Sequence, residues 1–136
     1  MKTLAAILLT AAATLSAAPD VQWQPNLEAA KAQAKASGKR IFLDVSTEWC
    51  GWCKKLQHDT FPSDVAKKAL AKVIPVSVET QKADGSPTEN KSLEQRYRVD
   101  GFPTLLILDA NGNEVARQPG YLPPERFAAW IEANAK

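Results

Sequence analysis

Cysteine is scarce in this chain, with two in 136 residues, and histidine scarcer still, His58 being its single copy. A small exported domain held together by disulfides needs several cysteine pairs, so that scaffold is excluded. A structural zinc takes about four ligands, and Cys50, Cys53 and His58 do not reach that number. Neither sign of charge is in excess: 17 basic against 15 acidic residues leave +2, without the basic surplus of a nucleic-acid binder. The sequence holds no repeat, low-complexity tract or coiled-coil heptad. Its apolar stretch from Leu4 to Leu15 is shorter than the ~20 residues that a membrane-spanning helix requires. No cysteine follows directly on that stretch, so a lipid anchor has no attachment point there.

Lys2, the apolar stretch and the small residues Ser16-Ala17-Ala18 read, in that order, as a cleaved secretory signal over residues 1–18. A periplasmic or secreted location follows from it. An uncleaved anchor is the alternative. Small residues at 16 and 18 suit a cut after Ala18, whereas Pro19 beyond it does not, so the exact bond stays open. Residues 19–136 are enough for one domain with one core.

The two cysteines form Cys50-Gly51-Trp52-Cys53, directly after the apolar run Ile41-Phe42-Leu43-Asp44-Val45. A Cys-x-x-Cys pair where a strand meets a helix moves electron pairs between thiols and disulfides. The first sulfur stands at a helix N-terminus, where unpaired N–H groups and the helix dipole favour a thiolate. The second lies one turn further in. A static bridge is a poor alternative, because closing so short a loop gives little entropic stabilisation.

Around that junction the pattern alternates. Asn26 caps a helix over 27–35 that Gly38 stops. Residues 40–46 read as a strand buried on both faces, and the Cys50 helix runs to about His58. Pro62 interrupts and Ser63 caps a helix over 64–72. Residues 73–78 form a strand in which Pro75 marks an edge or a bulge. Residues 80–87 are loop-like, and Ser86-Pro87-Thr88-Glu89 has the form of a capping box opening a helix that turns Leu93 and Tyr97 inward. Residues 104–108 are the most continuous apolar strand; Asp109-Ala110-Asn111-Gly112 is a turn, and 113–118 return antiparallel. Phe127, Trp130 and Ile131 share one face of a terminal helix. Strands alternating with helices imply an α/β fold, a central mixed sheet flanked by helices on both faces.

These elements, with Asp44-Val45-Ser46-Thr47-Glu48-Trp49-Cys50-Gly51-Trp52-Cys53-Lys54 and Gly101-Phe102-Pro103-Thr104-Leu105, resemble the thioredoxin superfamily over roughly residues 20–134. Within it, the stretch from Cys53-Lys54-Lys55 through Thr60-Phe61-Pro62-Ser63-Asp64-Val65 is similar to the C-terminal periplasmic domain of the bacterial thiol:disulfide interchange protein and to small exported proteins related to it. The resemblance implies the thioredoxin fold and a redox disulfide between Cys50 and Cys53. Cys50 is then the exposed nucleophile that forms a mixed disulfide, and Cys53 the buried thiol that resolves it. Asp44 corresponds to a buried acid beneath Cys53, its pKa raised by desolvation so that it takes the resolving thiol's proton. The family's lysine near that acid has no counterpart, Pro75 or Val76 standing in its place. Pro103 corresponds to a cis-proline whose loop lies against the sulfurs, with Phe102 offering backbone groups to an extended substrate.

Trp49 and Trp52 read as an apolar rim for substrate, although Trp49 would equally serve to fill space beside the sheet. Gly51-Trp52 brings no charge to the thiolate, which places the potential nearer the ~−270 mV of thioredoxin than the ~−120 mV of a strong periplasmic oxidase. The interchange domain has an acid where this chain has Gln57, so that second carboxylate is missing. His58 suits a surface position near the helix end, and Lys54 and Lys55 a solvated face.

The implied function is an exported thiol–disulfide oxidoreductase reducing protein disulfides. It has no bound cofactor and no metal, acts as a monomer on disulfide-containing proteins, and draws electrons from a membrane thiol donor. An oxidase or isomerase would use the same residues. A copper-handling protein using Cys50, Cys53 and His58 is a third reading.

Overall fold

The computed structural model describes residues 12–13 and 17–136, so the segment read as a secretory signal falls largely outside the described residues. Five helices and four strands follow the alternating order: α1 (Leu27–Ser37), β1 (Ile41–Ser46), α2 (Gly51–Lys55), α3 (Asp64–Leu70), β2 (Ile74–Glu79), α4 (Ser92–Arg96), β3 (Thr104–Leu108), β4 (Glu114–Pro119) and α5 (Pro124–Asn134). Helices α1 and α3 start where their expected caps put them. Asn26 accepts the Ala29 N–H at 2.8 Å, and Gly38 ends α1 at φ 74°, in the left-handed region that glycine enters without penalty. Ser63 caps α3 by accepting from Ala66 N–H.

The sheet order is β2-β1-β3-β4, with β1 parallel to β2 and antiparallel to β3, and β3 antiparallel to β4. All six residues of β1 are buried. Since side chains alternate across a strand, the two faces of β1 read directly from the core. Ile41, Leu43 and Val45 join Val76 and Val78 of β2 and Leu27, Ala30 and Ala34 of α1 on one face. Phe42 lies on the other, with Leu56, Leu70, Leu105, Ile107, Phe127 and Ile131. Phe42 meets Phe127 edge-on with ring centroids 5.3 Å apart, and Phe61 at 6.0 Å; such pairs contribute about 0.5–1.5 kcal/mol each beyond their area. Asp44, two residues from Phe42, shares this second face.

Pro75 lies on β2, an edge of the four-stranded sheet. Ile74 N–H donates to Arg40 O on the β1 side, so by alternation the position of Pro75's missing N–H faces outward. There Gln24 N–H donates to Pro75 O at 2.8 Å and forms an isolated bridge with Val76.

Two sequence expectations need correction. The Cys50 helix does not stop near His58 but continues as a π-helical turn over Leu56–Thr60, closed by Phe61 N–H on Leu56 O. Ser86-Pro87-Thr88-Glu89 is not a capping box. Pro87 is bridged to Gln81, Thr88 Oγ1 donates to Glu79 O, and α4 begins only at Ser92. The hydroxyl there secures a loop to β2. The rest of that expectation holds: Tyr97 is buried, and Leu93 packs against the same core. Smaller shifts move β2 and β4 one residue later than the pattern suggests and end α3 at Leu70. No helix among the described residues is long and apolar enough to cross a membrane.

Candidate active site

β1 ends at Ser46, and Thr47-Glu48-Trp49 carry the chain to Cys50, the N-cap residue of α2. Cys50 has extended backbone (φ −81°, ψ 114°), and its Sγ accepts the Cys53 N–H at 3.1 Å. The sulfur thus occupies the position where a serine or aspartate oxygen usually satisfies an unpaired helix donor. Cys50 and Cys53 are joined as a disulfide, their Cα atoms 5.3 Å apart. Both are buried, at 4% and 1% exposure. Cys50 is therefore not the exposed sulfur that the resemblance implied: in the disulfide form the surrounding chain covers both residues.

Asp44 is 1% exposed. Its register partner on β2 is Ser77. Val76 and Val78 face the α1 side, so alternation turns Ser77 to the side of Asp44. Ser77 Oγ donates to Asp44 Oδ2 at 2.8 Å, while Oδ1 has no hydrogen-bond partner among the described residues. Burial pushes the Asp44 carboxyl up from 3.8 to about 7; the Ser77 bond opposes the rise and the negative charge of Glu79 adds to it. The residue facing this acid is thus Ser77, in place of the expected Pro75 or Val76. Glu79 is likewise raised, first by burial and then by the nearby negative charge of Glu48.

The Phe102–Pro103 peptide bond is cis. Its loop is held at both ends, by Thr104 Oγ1 donating to Gly101 O at 2.7 Å and by Gly120 N–H donating to Pro103 O at 2.8 Å. Phe102 packs edge-on against Trp49, centroids 5.7 Å apart. Trp49 is about half exposed and donates its indole N–H to Gln81 Oε1 at 3.0 Å, so it stands as a wall rather than as sheet filling. Trp52, 59% exposed, pairs with Tyr121 at 5.6 Å. Trp52, Phe102, Gly120 and Tyr121 enclose an apolar groove of about 310 Å³.

The structure therefore brings Cys50, Cys53, Trp49, Trp52 and Phe102 to the strand–helix junction and its flanking loops, with Asp44 on the sheet face that α2 and its π turn cover. His58 is exposed on the π turn, and the described residues contain no group of three or more His, Cys, Asp or Glu placed to hold a metal ion. Three contributors escaped the sequence reading. Ser77 depends on the β1–β2 register, which no local pattern encodes. Gln81 depends on the path of a polar loop. Tyr121, between Gly120 and two prolines, was legible as an aromatic outside any helix, but its pairing with Trp52 was not.

Residues 27–135 match the family model of the thioredoxin-like domain. The thiol:disulfide interchange protein DsbD of Haemophilus ducreyi is 32% identical over 96 residues, covering 69% of this chain and 16% of the relative. The chain thus spans less than a fifth of that relative's length. Among solved structures, the oxidoreductase DsbH superposes with a TM-score of 0.75 at 26% identity, covering 87% of this chain and 86% of DsbH. The C-terminal domain of Neisseria meningitidis DsbD in its reduced form gives 0.67 at 23% identity, over 79% of this chain and 93% of that domain, and shares the fold. The chain belongs to the thioredoxin-like family and carries in Cys50 and Cys53 the dithiol pair of a thiol–disulfide oxidoreductase.

Proposed function

We propose that this protein is an exported, monomeric reductase of protein disulfides, released by removal of residues 1–18 and recharged by a membrane thiol donor. The observation that carries the reductive direction is the uncharged Gly51-Trp52 dipeptide between the sulfurs, together with a buried acid that stays half-ionised near neutrality. With no histidine between the cysteines to stabilise a thiolate, the reduced form is a ready donor of electrons.

The reaction begins with the reduced pair. An extended segment of substrate lies across the groove of Trp52, Phe102 and Tyr121, against the Pro103 loop. The Cys50 thiolate attacks one sulfur of the substrate disulfide, and the other leaves as a thiolate. Asp44 takes the proton of the Cys53 thiol. The Cys53 thiolate then attacks Cys50 Sγ, and the second substrate sulfur departs. Two electrons have passed from the protein to the substrate, and the Cys50–Cys53 disulfide is the product left behind. Asp44 suits the base's role because a carboxyl near 7 is both substantially ionised and basic enough to receive a thiol proton. Substrate docks first against the half-exposed Trp49 and Trp52, which flank the covered Cys50.

Trapping tests this reading. The Cys53→Ser variant, expressed with its signal segment, accumulates mixed disulfides through Cys50 that reductant releases. Absence of such adducts, with the parent protein inert towards insulin disulfides, would refute it. Predominant transfer of disulfides into reduced substrates would instead mark an oxidase.

A further inference from the structure

Asp44 lies inside the sheet at 1% exposure, so any proton it exchanges with solvent has to pass through another group. Ser77 is the side chain that joins it to the outside. Its hydroxyl is bonded to Asp44 Oδ2, and it is itself only half-buried. Ser77 lines a cavity of about 440 Å³ together with Trp23, Gln57 and Phe61. It also lines a second one, of about 390 Å³, with Glu48, Glu79 and Lys82. Neither cavity shares a lining residue with the groove of Trp52, Phe102, Gly120 and Tyr121.

We propose that Ser77 is a positioning residue and proton relay, whose hydroxyl passes the proton between Asp44 and solvent in the cavity beneath Trp23, by a route separate from the substrate groove. The relay rests on the reductase reading above. In the resolving step the Cys53 S–H bond breaks and its proton joins Asp44; the Cys53 sulfur bonds to Cys50 Sγ as the bond from Cys50 to substrate breaks. With Asp44 protonated, the Ser77 hydroxyl gives up its bond to Oδ2 and turns outward; the Asp44 O–H proton then passes to Ser77 Oγ as the Ser77 hydroxyl proton passes to water. Ser77 ends as it began, with no net charge gained or lost. The separate route keeps the proton path open while substrate occupies the groove.

The groups that bear on this path are few. Glu79 follows on the same face of β2 and Glu48 on the loop before α2, near enough for its charge to act on Glu79. Cys53 lies on α2, and the π turn that follows packs on this face through Leu56. Thr104 and Leu105 of β3 carry no charge. Asp20 and Lys67 stand at the larger cavity, Lys82 and Glu89 at the smaller. Only Ser77 among them is bonded to Asp44.

The experiment compares the parent with Ser77→Ala and Ser77→Thr in single turnovers of pre-reduced protein with a model disulfide, separating mixed-disulfide formation from substrate release across pH. Alanine removes the bond that favours the carboxylate. If the midpoint of Asp44 rises by one pH unit, its ionised fraction at pH 7 falls about fivefold. Release should slow by more than that factor, its pH limb should move to higher pH, and added imidazole, small enough to enter the cavity, should restore the part of the loss beyond that factor, since it carries protons without changing the ionised fraction. Formation of the mixed disulfide should be unchanged, and Ser77→Thr, which keeps a hydroxyl, should behave as the parent. Equal release rates and pH limbs for alanine and parent would overturn the relay, as would a loss identical at every pH or indifferent to imidazole. If the parent itself reduced no disulfide, the reductase reading would fail rather than the relay alone.

Discussion

Replacing Asp44 by asparagine should change how the stability of the folded protein depends on pH, by an amount set by burial. An unfolded aspartate titrates near 3.8, and the folded Asp44 near 7. Below the lower value both states hold the proton, and above the higher value both have lost it. Between them the folded state binds a proton that the unfolded state has released, so stability falls as pH rises through this window and levels off beyond it. At ~1.36 kcal/mol per pH unit the fall is about 4 kcal/mol. The residue is buried, so solvent screening does not reduce the figure. Asparagine cannot titrate and lacks this dependence. Whatever constant cost it carries, the stability of Asp44→Asn minus that of the parent should climb by about 4 kcal/mol between about pH 4 and about pH 8. Other shifted groups, among them Glu79 and Asp109, are present in both proteins and largely cancel. Urea unfolding of the oxidised proteins, followed by far-ultraviolet circular dichroism, reads this as a divergence of midpoints of roughly 1–4 M. A difference that stayed flat with pH, or that shrank as pH rose, would refute the reasoning.

Three further outcomes follow from named contacts. Glu79→Gln removes a negative charge that helps hold Asp44 up, so the climb of the same stability difference should level off at lower pH and reach a smaller total than in the Glu79 background; an unchanged plateau would remove Glu79 from the account. Thr60→Val leaves the buried Leu122 carbonyl without its 2.7 Å partner, which should cost about 1–3 kcal/mol in urea unfolding at constant slope. An unchanged midpoint would show that the carbonyl finds another donor. Equilibration of the purified protein with glutathione or dithiothreitol buffers should give a potential nearer ~−270 mV than ~−120 mV, and a value at the oxidising end would overturn the reductive direction.

Much of the fold was readable because local chemistry and global burial agree. The apolar run Ile41–Val45, broken only by Asp44, gives a strand buried on both faces, and Asn26, Gly38 and Ser63 perform as caps where the pattern places them. Ser86-Pro87-Thr88-Glu89 misled because its hydroxyl found a better acceptor in Glu79 O than a helix of its own. The π turn at Leu56–Thr60 was invisible, since one extra residue in a helical turn leaves no mark on composition. At the site, Cys50, Cys53, Asp44 and Pro103 are placed by the strand, the helix and the loop that carry them. Ser77, Gln81 and Tyr121 belong to it through pairings across the sheet and between loops, and such partners are fixed only when the chain closes.

The two outer strands, β2 and β4, leave the sheet with two open margins. A protein that receives stretched, partly unfolded clients beside its sulfurs is constantly offered strands that could zip onto an open sheet margin. Along β2 that margin is interrupted where Pro75 offers no donor and Gln24 already holds its carbonyl. Along β4 the sequence Glu-Val-Ala-Arg-Gln-Pro sets charge and a closing proline against the same invitation. Both margins are thereby poor templates for a further strand, whether from a client of the proposed reductase or from a second copy of the protein.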